Sequence, residues 1–214
     1  NRRHLGTFLD CAPRIVTNCR SRGHSLWPPH AQGIRVCIQV LQRRQSEMTS
    51  KRFVVIGAGH AGGRAVEAMR NAGFEGEIIL IGDEPHLPYE RPPLSKEVLQ
   101  SKPDYEFPFI RPRKYYDEQN IELMLGVAAN AINPAAKTVS LASGETVSYD
   151  KLLLTTGGRV RKLPILGSEL AGTHYLRTLD DANAIEAALG EGANLVIVGG
   201  GFIGLEVAAS ARQR

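Results

Sequence analysis

Cysteine is scarce: Cys11, Cys19 and Cys37 are the only three, and none follows residue 37. The rest of the chain therefore has no disulfide, thiol nucleophile or thiolate metal ligand to offer, and no metal centre is expected. The single tryptophan, Trp27, lies in the same early segment. No run of 18 apolar residues occurs, so no membrane-crossing helix is indicated and no membrane partner is expected. Lysine is missing from residues 1–47, which hold eight arginines against two acids, Asp10 and Glu47. From Met48 onward, 18 basic residues face 20 acidic ones, so the net charge of +4 belongs to the leader. A mildly acidic body gives no reason to expect nucleic acid as a partner.

The leader shows no helical periodicity through Pro13, Pro28 and Pro29, and its one apolar stretch, residues 34–41, is interrupted by Arg35 and Gln39. Met48-Thr-Ser-Lys-Arg then stands directly before an apolar run, so Met48 reads as a start and residues 1–47 as non-native read-through of upstream coding sequence. An arginine-rich organelle transit peptide and a nucleic-acid-binding arm are the alternatives.

What the body has in abundance is glycine in two ordered clusters. Phe53 to Ile56 is a continuous run of β-formers, expected as a buried parallel strand. It leads into Gly57-Ala58-Gly59-His60-Ala61-Gly62, followed by a short helix over Arg64 to Asn71 with Arg64, Glu67 and Arg70 outward and a stop at Gly73. Glu77 to Gly82 reads as a second buried strand, completing a unit of roughly the ~30 residues of a mononucleotide-binding half. Near the carboxyl end, a strand expected over Asn194 to Val198 leads into Gly199-Gly200-Gly201-Phe202-Ile203-Gly204 and a helix from Phe202 to Arg212.

In such a turn the first glycine permits the sharp bend, the second lets the backbone approach a pyrophosphate, and the third packs the helix against the strand. The phosphates then meet the free amides and positive end of the helix. Gly57, Gly59 and Gly62 hold these positions once, and Gly199, Gly201 and Gly204 hold them again. An acid after the second strand is needed for the adenosine ribose; Asp83 is favoured, with Glu84 beside it. The matching acid of the second site is expected ~20 residues past its glycines, beyond Arg214, so the choice between NAD and NADP is not encoded here.

Between these motifs, residues 85–112 are proline-rich and irregular, with a helical patch expected near Ser95 to Gln100. Strands are expected at Ile121 to Leu125 and Leu152 to Thr155, and a hairpin at Thr138 to Leu141 and Thr146 to Tyr149. A helix is expected over Asp180 to Leu189, with Asp180 or Asp181 as its N-cap and Gly190 as its stop.

Val54 to Gly62, residues 81–96, residues 149–159, Leu176 to Ala182 and Val198 to Glu206 together resemble the ferredoxin reductases of bacterial oxygenase systems. Those flavoproteins belong to the wider pyridine nucleotide-disulfide oxidoreductase superfamily; the resemblance covers residues 51–212 and is most specific from Leu87 to Lys96. It implies an α/β fold of two Rossmann-like dinucleotide-binding domains, the NAD domain inserted into a discontinuous FAD domain, both incomplete in this chain. Residues 48–158 would be the first part of the FAD-binding domain and 159–214 the start of the NAD(P)-binding domain.

By the same resemblance, Gly57 to Gly62 hold the FAD pyrophosphate and Asp83 its ribose, while Arg91 and Lys96 contact FAD, with Lys96 close to the isoalloxazine. Ala129 falls where the family often has valine against the adenine; Thr156 and Gly157 pass close to FAD, and Arg159 or Arg161 adds charge there. Phe202 and Ile203 belong to the NAD(P)H turn, and Glu206 matches a glutamate near the flavin–nicotinamide junction, where it and Lys96 form the expected catalytic pair. Disulfide reductases of the superfamily carry a redox cysteine pair where this chain reads Arg91-Pro-Pro-Leu-Ser-Lys96, so electrons must leave to an external acceptor. The implied activity is hydride transfer from NAD(P)H to FAD, then single electrons to a ferredoxin-type 2Fe-2S protein serving an oxygenase, in the cytoplasm. Reduction of rubredoxin, nitrite or oxygen, or a redox sensor that binds FAD and NADH without turnover, are the alternatives.

Overall fold

The computed structural model describes residues 51–100 and 105–214, all within one unit, Arg44–Arg214. The readings of residues 1–47 and of Met48 lie outside the described residues. Strand β1 (Arg52–Ile56), helix α1 (His60–Asn71) and strand β2 (Glu77–Gly82) form the expected strand-turn-helix-strand unit. The helix begins at His60, four residues before the expected Arg64, because Gly59 adopts an extended N-cap conformation and lets the motif's own residues form the first turn. Downstream come a single 3-10 turn (Pro92–Ser95), α2 (Arg113–Glu118), β3 (Ile121–Leu125), β4 (Ala129–Asn133), β5 (Thr138–Leu141), β6 (Thr146–Ser148), β7 (Lys151–Leu154), α3 (Leu179–Ala188) and α4 (Phe202–Arg212).

Two sheets result. β1, β2, β3 and β7 form a wholly parallel sheet in the order β3-β2-β1-β7, with Val54 paired to both Ile79 and Leu152. The antiparallel sheet β4-β5-β6 lies against it. Alternation along the central strands explains their unbroken apolar character. Val55, Ile78 and Leu80 meet Val66 of α1 and Tyr116 of α2, while Val54, Ile56, Ile79 and Ile81 meet Val139, Leu141 and Val147 of the second sheet. A strand covered on both faces cannot afford a polar residue on either. Arg70, expected on the outer face of α1, instead donates from its guanidinium to the carbonyls of Gln119, Phe74, Gly76 and Asn120 at 2.6–2.8 Å, tying the end of α1 to the α2–β3 turn.

A third cluster joins the proline-rich segment to the last two helices: Tyr89, Leu94 and Leu99 pack with Leu179, Ala182 and Ile185 of α3 and with Val207 of α4. The expected helix near Ser95 to Gln100 is replaced by the 3-10 turn and further turns, since Pro92 and Pro93 supply no amide donors and favour a tight start. The N-cap of α3 is Thr178, not Asp180 or Asp181. Asp181 occupies the third helical position, where its carboxylate accepts from the amide of Thr178 while the Thr178 hydroxyl accepts from that of Asp181, a reciprocal capping box. The expected strand over Asn194 to Val198 does not form. No neighbouring strand among the described residues offers it a ladder, and Leu195, Val196 and Val198 remain exposed. Among the described residues, no helix is long and apolar enough to cross a membrane.

Candidate functional site

The parallel strands β1 and β7 end side by side, and the chain must leave β1 through a gap too narrow for any side chain. Gly57 has φ +107°, and a Cβ placed on it would lie 2.3 Å from the Thr155 carbonyl oxygen. Its amide donates to the carbonyl of Ile81 (2.7 Å), while the Thr155 hydroxyl donates to the carbonyls of Ile56 (3.1 Å) and Gly57 (2.9 Å). Gly62 closes the turn from the helix side, where an added Cβ would meet the Gly57 oxygen at 2.0 Å. Gly59 differs from both: the first atom a Cβ there would approach is Arg91 Nη2, at 4.0 Å. Gly57 and Gly62 thus serve the fold, and Gly59 keeps space open over the start of α1.

That space is a cavity of about 210 Å³ lined by residues 57–61, Gly82, Asp83, Glu84, Arg91, Thr155, Thr156, Gly157 and Arg177. The first-turn amides of α1 face it without a side-chain cap and without an acid in that turn. With the helix dipole and Arg91 nearby, the cavity offers an anion several aligned donors and favourable potential. An open Gly59, an uncapped helix start and a guanidinium fit a diphosphate.

The two candidate ribose acids have different surroundings. Glu84 is committed: its carboxylate accepts from Arg91 Nη2 at 2.7 Å and from the Tyr89 hydroxyl at 2.5 Å. Burial, then the adjoining Glu84 carboxylate, pushes the Tyr89 phenol far above its ordinary range, so it stays a donor. The Tyr89 hydroxyl in turn accepts from the Leu179 amide (2.9 Å), and Arg91 also donates to the Arg177 carbonyl. Asp83 is exposed at the cavity wall, with no hydrogen-bond partner for its carboxylate among the described residues.

Lys96, directly after the 3-10 turn, and Glu206 of α4 are brought together, Nζ to Oε2 at 2.7 Å. Neither lines that cavity. The Lys96 ammonium, and after it the Ser95 hydroxyl, hold the Glu206 carboxyl below the usual glutamate range. Ala129 starts β4 and packs between the two sheets, while Arg159 and Arg161 are exposed beyond the cavity lining. Gly199, Gly201, Phe202, Ile203 and Gly204 line a second, larger and mainly apolar space of about 1030 Å³ with residues such as Leu163, Leu166 and Val196.

Arg177 and Thr155 also line the cavity at the start of α1, and the sequence reading does not single them out. Arg177 Nε donates to the Gly158 carbonyl at 3.1 Å, and Nη2 lies 3.3 Å from where a Cβ on Gly157 would sit. Its available signal was its place in Leu176-Arg177-Thr178, one residue before a helix cap.

Rhodocoxin reductase of Rhodococcus erythropolis is 46% identical to this chain over 162 residues, which are 76% of this chain and 38% of that protein. The ferredoxin–NAD(+) reductase component of the anthranilate 1,2-dioxygenase system of Burkholderia cepacia is 46% identical over 168 residues, covering 78% of this chain and 41% of its own. The chain therefore spans about two fifths of the length of these relatives. The crystal structure of the covalent putidaredoxin reductase–putidaredoxin complex superimposes with a TM-score of 0.70 at 40% identity, over 76% of this chain and 40% of that one. With residues 51–214 matching that family throughout, the chain belongs to the pyridine nucleotide-disulphide oxidoreductases.

Proposed function

We propose that this chain forms the nucleotide-binding amino-terminal part of an FAD-dependent NAD(P)H:ferredoxin oxidoreductase acting in the cytoplasm. The cavity at the start of α1 carries the reading: it combines an open Gly59, uncapped helix amides, Arg91 and an unpartnered Asp83. Gly57 to Gly62 would hold the FAD diphosphate, Asp83 the adenosine ribose, and Arg91, Thr156, Gly157 and Arg177 the edge nearest the β7 end. Glu84 serves by orienting Arg91 rather than by touching the ribose, because both its oxygens are already taken. Residues 48–158 are read as the first part of the FAD-binding domain and 159–214 as the start of the NAD(P)-binding domain, with Gly199 to Gly204 as its phosphate turn.

Bound FAD would supply the redox chemistry, hydride uptake from NAD(P)H and release of single electrons, here toward a ferredoxin-type 2Fe-2S protein serving an oxygenase. The names of the relatives and the putidaredoxin complex support that acceptor. Lys96 and Glu206 join the proline-rich turn to the helix of the second glycine motif, a placement that suits residues positioned where two nucleotides meet. The protein carrying this chain is purified with FAD, and its flavin absorbance is followed without oxygen on addition of NADH or NADPH, then of a 2Fe-2S ferredoxin. Bleaching followed by reoxidation is expected. A bound flavin that neither nucleotide bleaches overturns the reductase reading.

A further inference from the structure

Helix α4 presents Glu206, Val207 and Ser210 to one side, the spacing that places residues on a common helical face. That face lies on the 3-10 turn Pro92–Ser95, with Val207 buried in the shared core. A short 3-10 turn leaves carbonyls without partners, and here Ser210 supplies one: its hydroxyl, on a residue only 2% exposed, donates to the Ser95 carbonyl at 2.8 Å. Gln100 Nε2 approaches the same Ser210 oxygen at 3.4 Å. The Ser95 backbone is thereby tied to α4 one helical turn beyond Glu206.

The Ser95 side chain returns the connection. Its hydroxyl donates to Glu206 Oε2 at 2.5 Å, the oxygen that Lys96 Nζ also reaches. Lys96 places a second hydrogen bond on the Pro92 carbonyl at 3.1 Å. Glu206 Oε1 has no protein partner among the described residues. An ammonium on a flexible stem is a point charge that could pair with either carboxylate oxygen, whereas a hydroxyl on a short, 5% exposed side chain selects one.

We propose that Ser95 and Ser210 are positioning residues for the Lys96–Glu206 pair: Ser210 fixes the turn on α4, and Ser95 holds Oε2 so that Oε1 is left free to accept a hydrogen bond from a ligand. The assignment rests on the flavin-reductase reading only for the reaction this pair would serve. A positioning role makes the ionisation of Glu206 depend on both hydroxyls, whereas a role confined to packing would alter stability alone.

The test follows the Glu206 carboxyl by 13C NMR titration in the full chain, assigned by its loss in Glu206→Gln, without added nucleotide. Ser95→Ala and Ser210→Ala are expected to move the midpoint upward toward the ordinary glutamate range, and Ser210→Thr, which keeps the hydroxyl, to leave it in place. A midpoint that stays put in folded Ser95→Ala overturns the proposal, whatever happens to the melting temperature. Should Ser210→Ala fail to fold, Ser95→Ala and Ser210→Thr decide alone, and a Ser210→Thr midpoint displaced as in Ser95→Ala would count against the Ser210 assignment. Flavin absorbance is recorded separately: a chain that takes up no FAD yet shows the Ser95→Ala shift refutes the flavin reading and leaves the positioning role standing.

Discussion

The same spacing of glycines occurs twice, and the two copies share a backbone while differing in everything around it. Gly57 and Gly199 have φ values of +107° and +108°. Gly62 and Gly204 each turn toward the carbonyl of the first glycine, with added Cβ atoms at 2.0 and 2.8 Å from it. Yet Gly57 also lies against the Thr155 backbone of the neighbouring strand end, and nothing lies within 4 Å of a Cβ on Gly199. The turn is thus a local property of the motif, whereas the cavity beside the first copy is made by its neighbours β2 and β7 and by Arg91 and Arg177. A glycine fingerprint specifies a path for the backbone; a binding site also needs walls.

The largest effect expected from this difference is on stability. Gly57→Ala forces a methyl into the Thr155 backbone at a positive φ and should cost about 3 kcal/mol or more, while Gly199→Ala, at the same φ with nothing within 4 Å of the methyl, should cost only the backbone strain of about 1–2 kcal/mol. Urea unfolding of the two variants measures this, and equal losses would break the contrast between the copies.

Gly59→Ala sharpens the division of labour inside the first copy. Its open surroundings and extended conformation predict a stability change within about 0.5 kcal/mol, but a loss of FAD affinity of about tenfold or more. Fluorescence titration against unfolding separates the two. A smaller contrast is expected between the adjoining acids. Glu84→Gln should destabilise by about 2 kcal/mol by weakening the partners of Arg91 and Tyr89, whereas Asp83→Asn should leave the melting temperature in place and weaken flavin binding. A melting loss in Asp83→Asn with unchanged binding would reverse their roles.

The smallest effect is electrostatic. The Glu206 carboxyl is depressed first by Lys96 and then by Ser95, so its contribution to stability is full above the unfolded glutamate value and fades as pH falls through the lowered folded value. Lys96→Met should lower stability slightly at neutral pH and flatten that acid-side decline, the two proteins converging below the lowered folded value; melting temperatures across an acid series check this. Both side chains are more than a third exposed, which keeps the effect small.

Much of the fold was legible because apolar runs between glycines have few alternatives: β1, β2, β3 and the β5–β6 hairpin lie where alternation and turn residues placed them. The misses have particular causes. Helix periodicity faces Arg70 outward, but the carbonyls it satisfies come from the α2–β3 turn and the end of α1, which periodicity does not see. Thr178 caps α3 where the two adjoining aspartates look the stronger caps, because Thr178 with Asp181 has the capping-box spacing. The strand at Asn194 to Val198 has the right composition, and its absence shows that a buried-strand pattern still requires a partner ladder.

The candidate site divides the same way. Amino-acid order alone dictates the two glycine turns and their helices, because positive φ and close approach are demands that glycine meets without a Cβ clash, and it singles out Asp83, Glu84, Arg91, Lys96 and Glu206. Packing of distant segments settles that Glu84 is spent on Arg91 and Tyr89 while Asp83 is not, that Arg177 reaches the cavity, and that Ser95 and Ser210 converge on the Lys96–Glu206 pair. Hydrogen-bond partners more than 80 residues apart depend on how packed layers bring loops together, and local propensity carries no record of that.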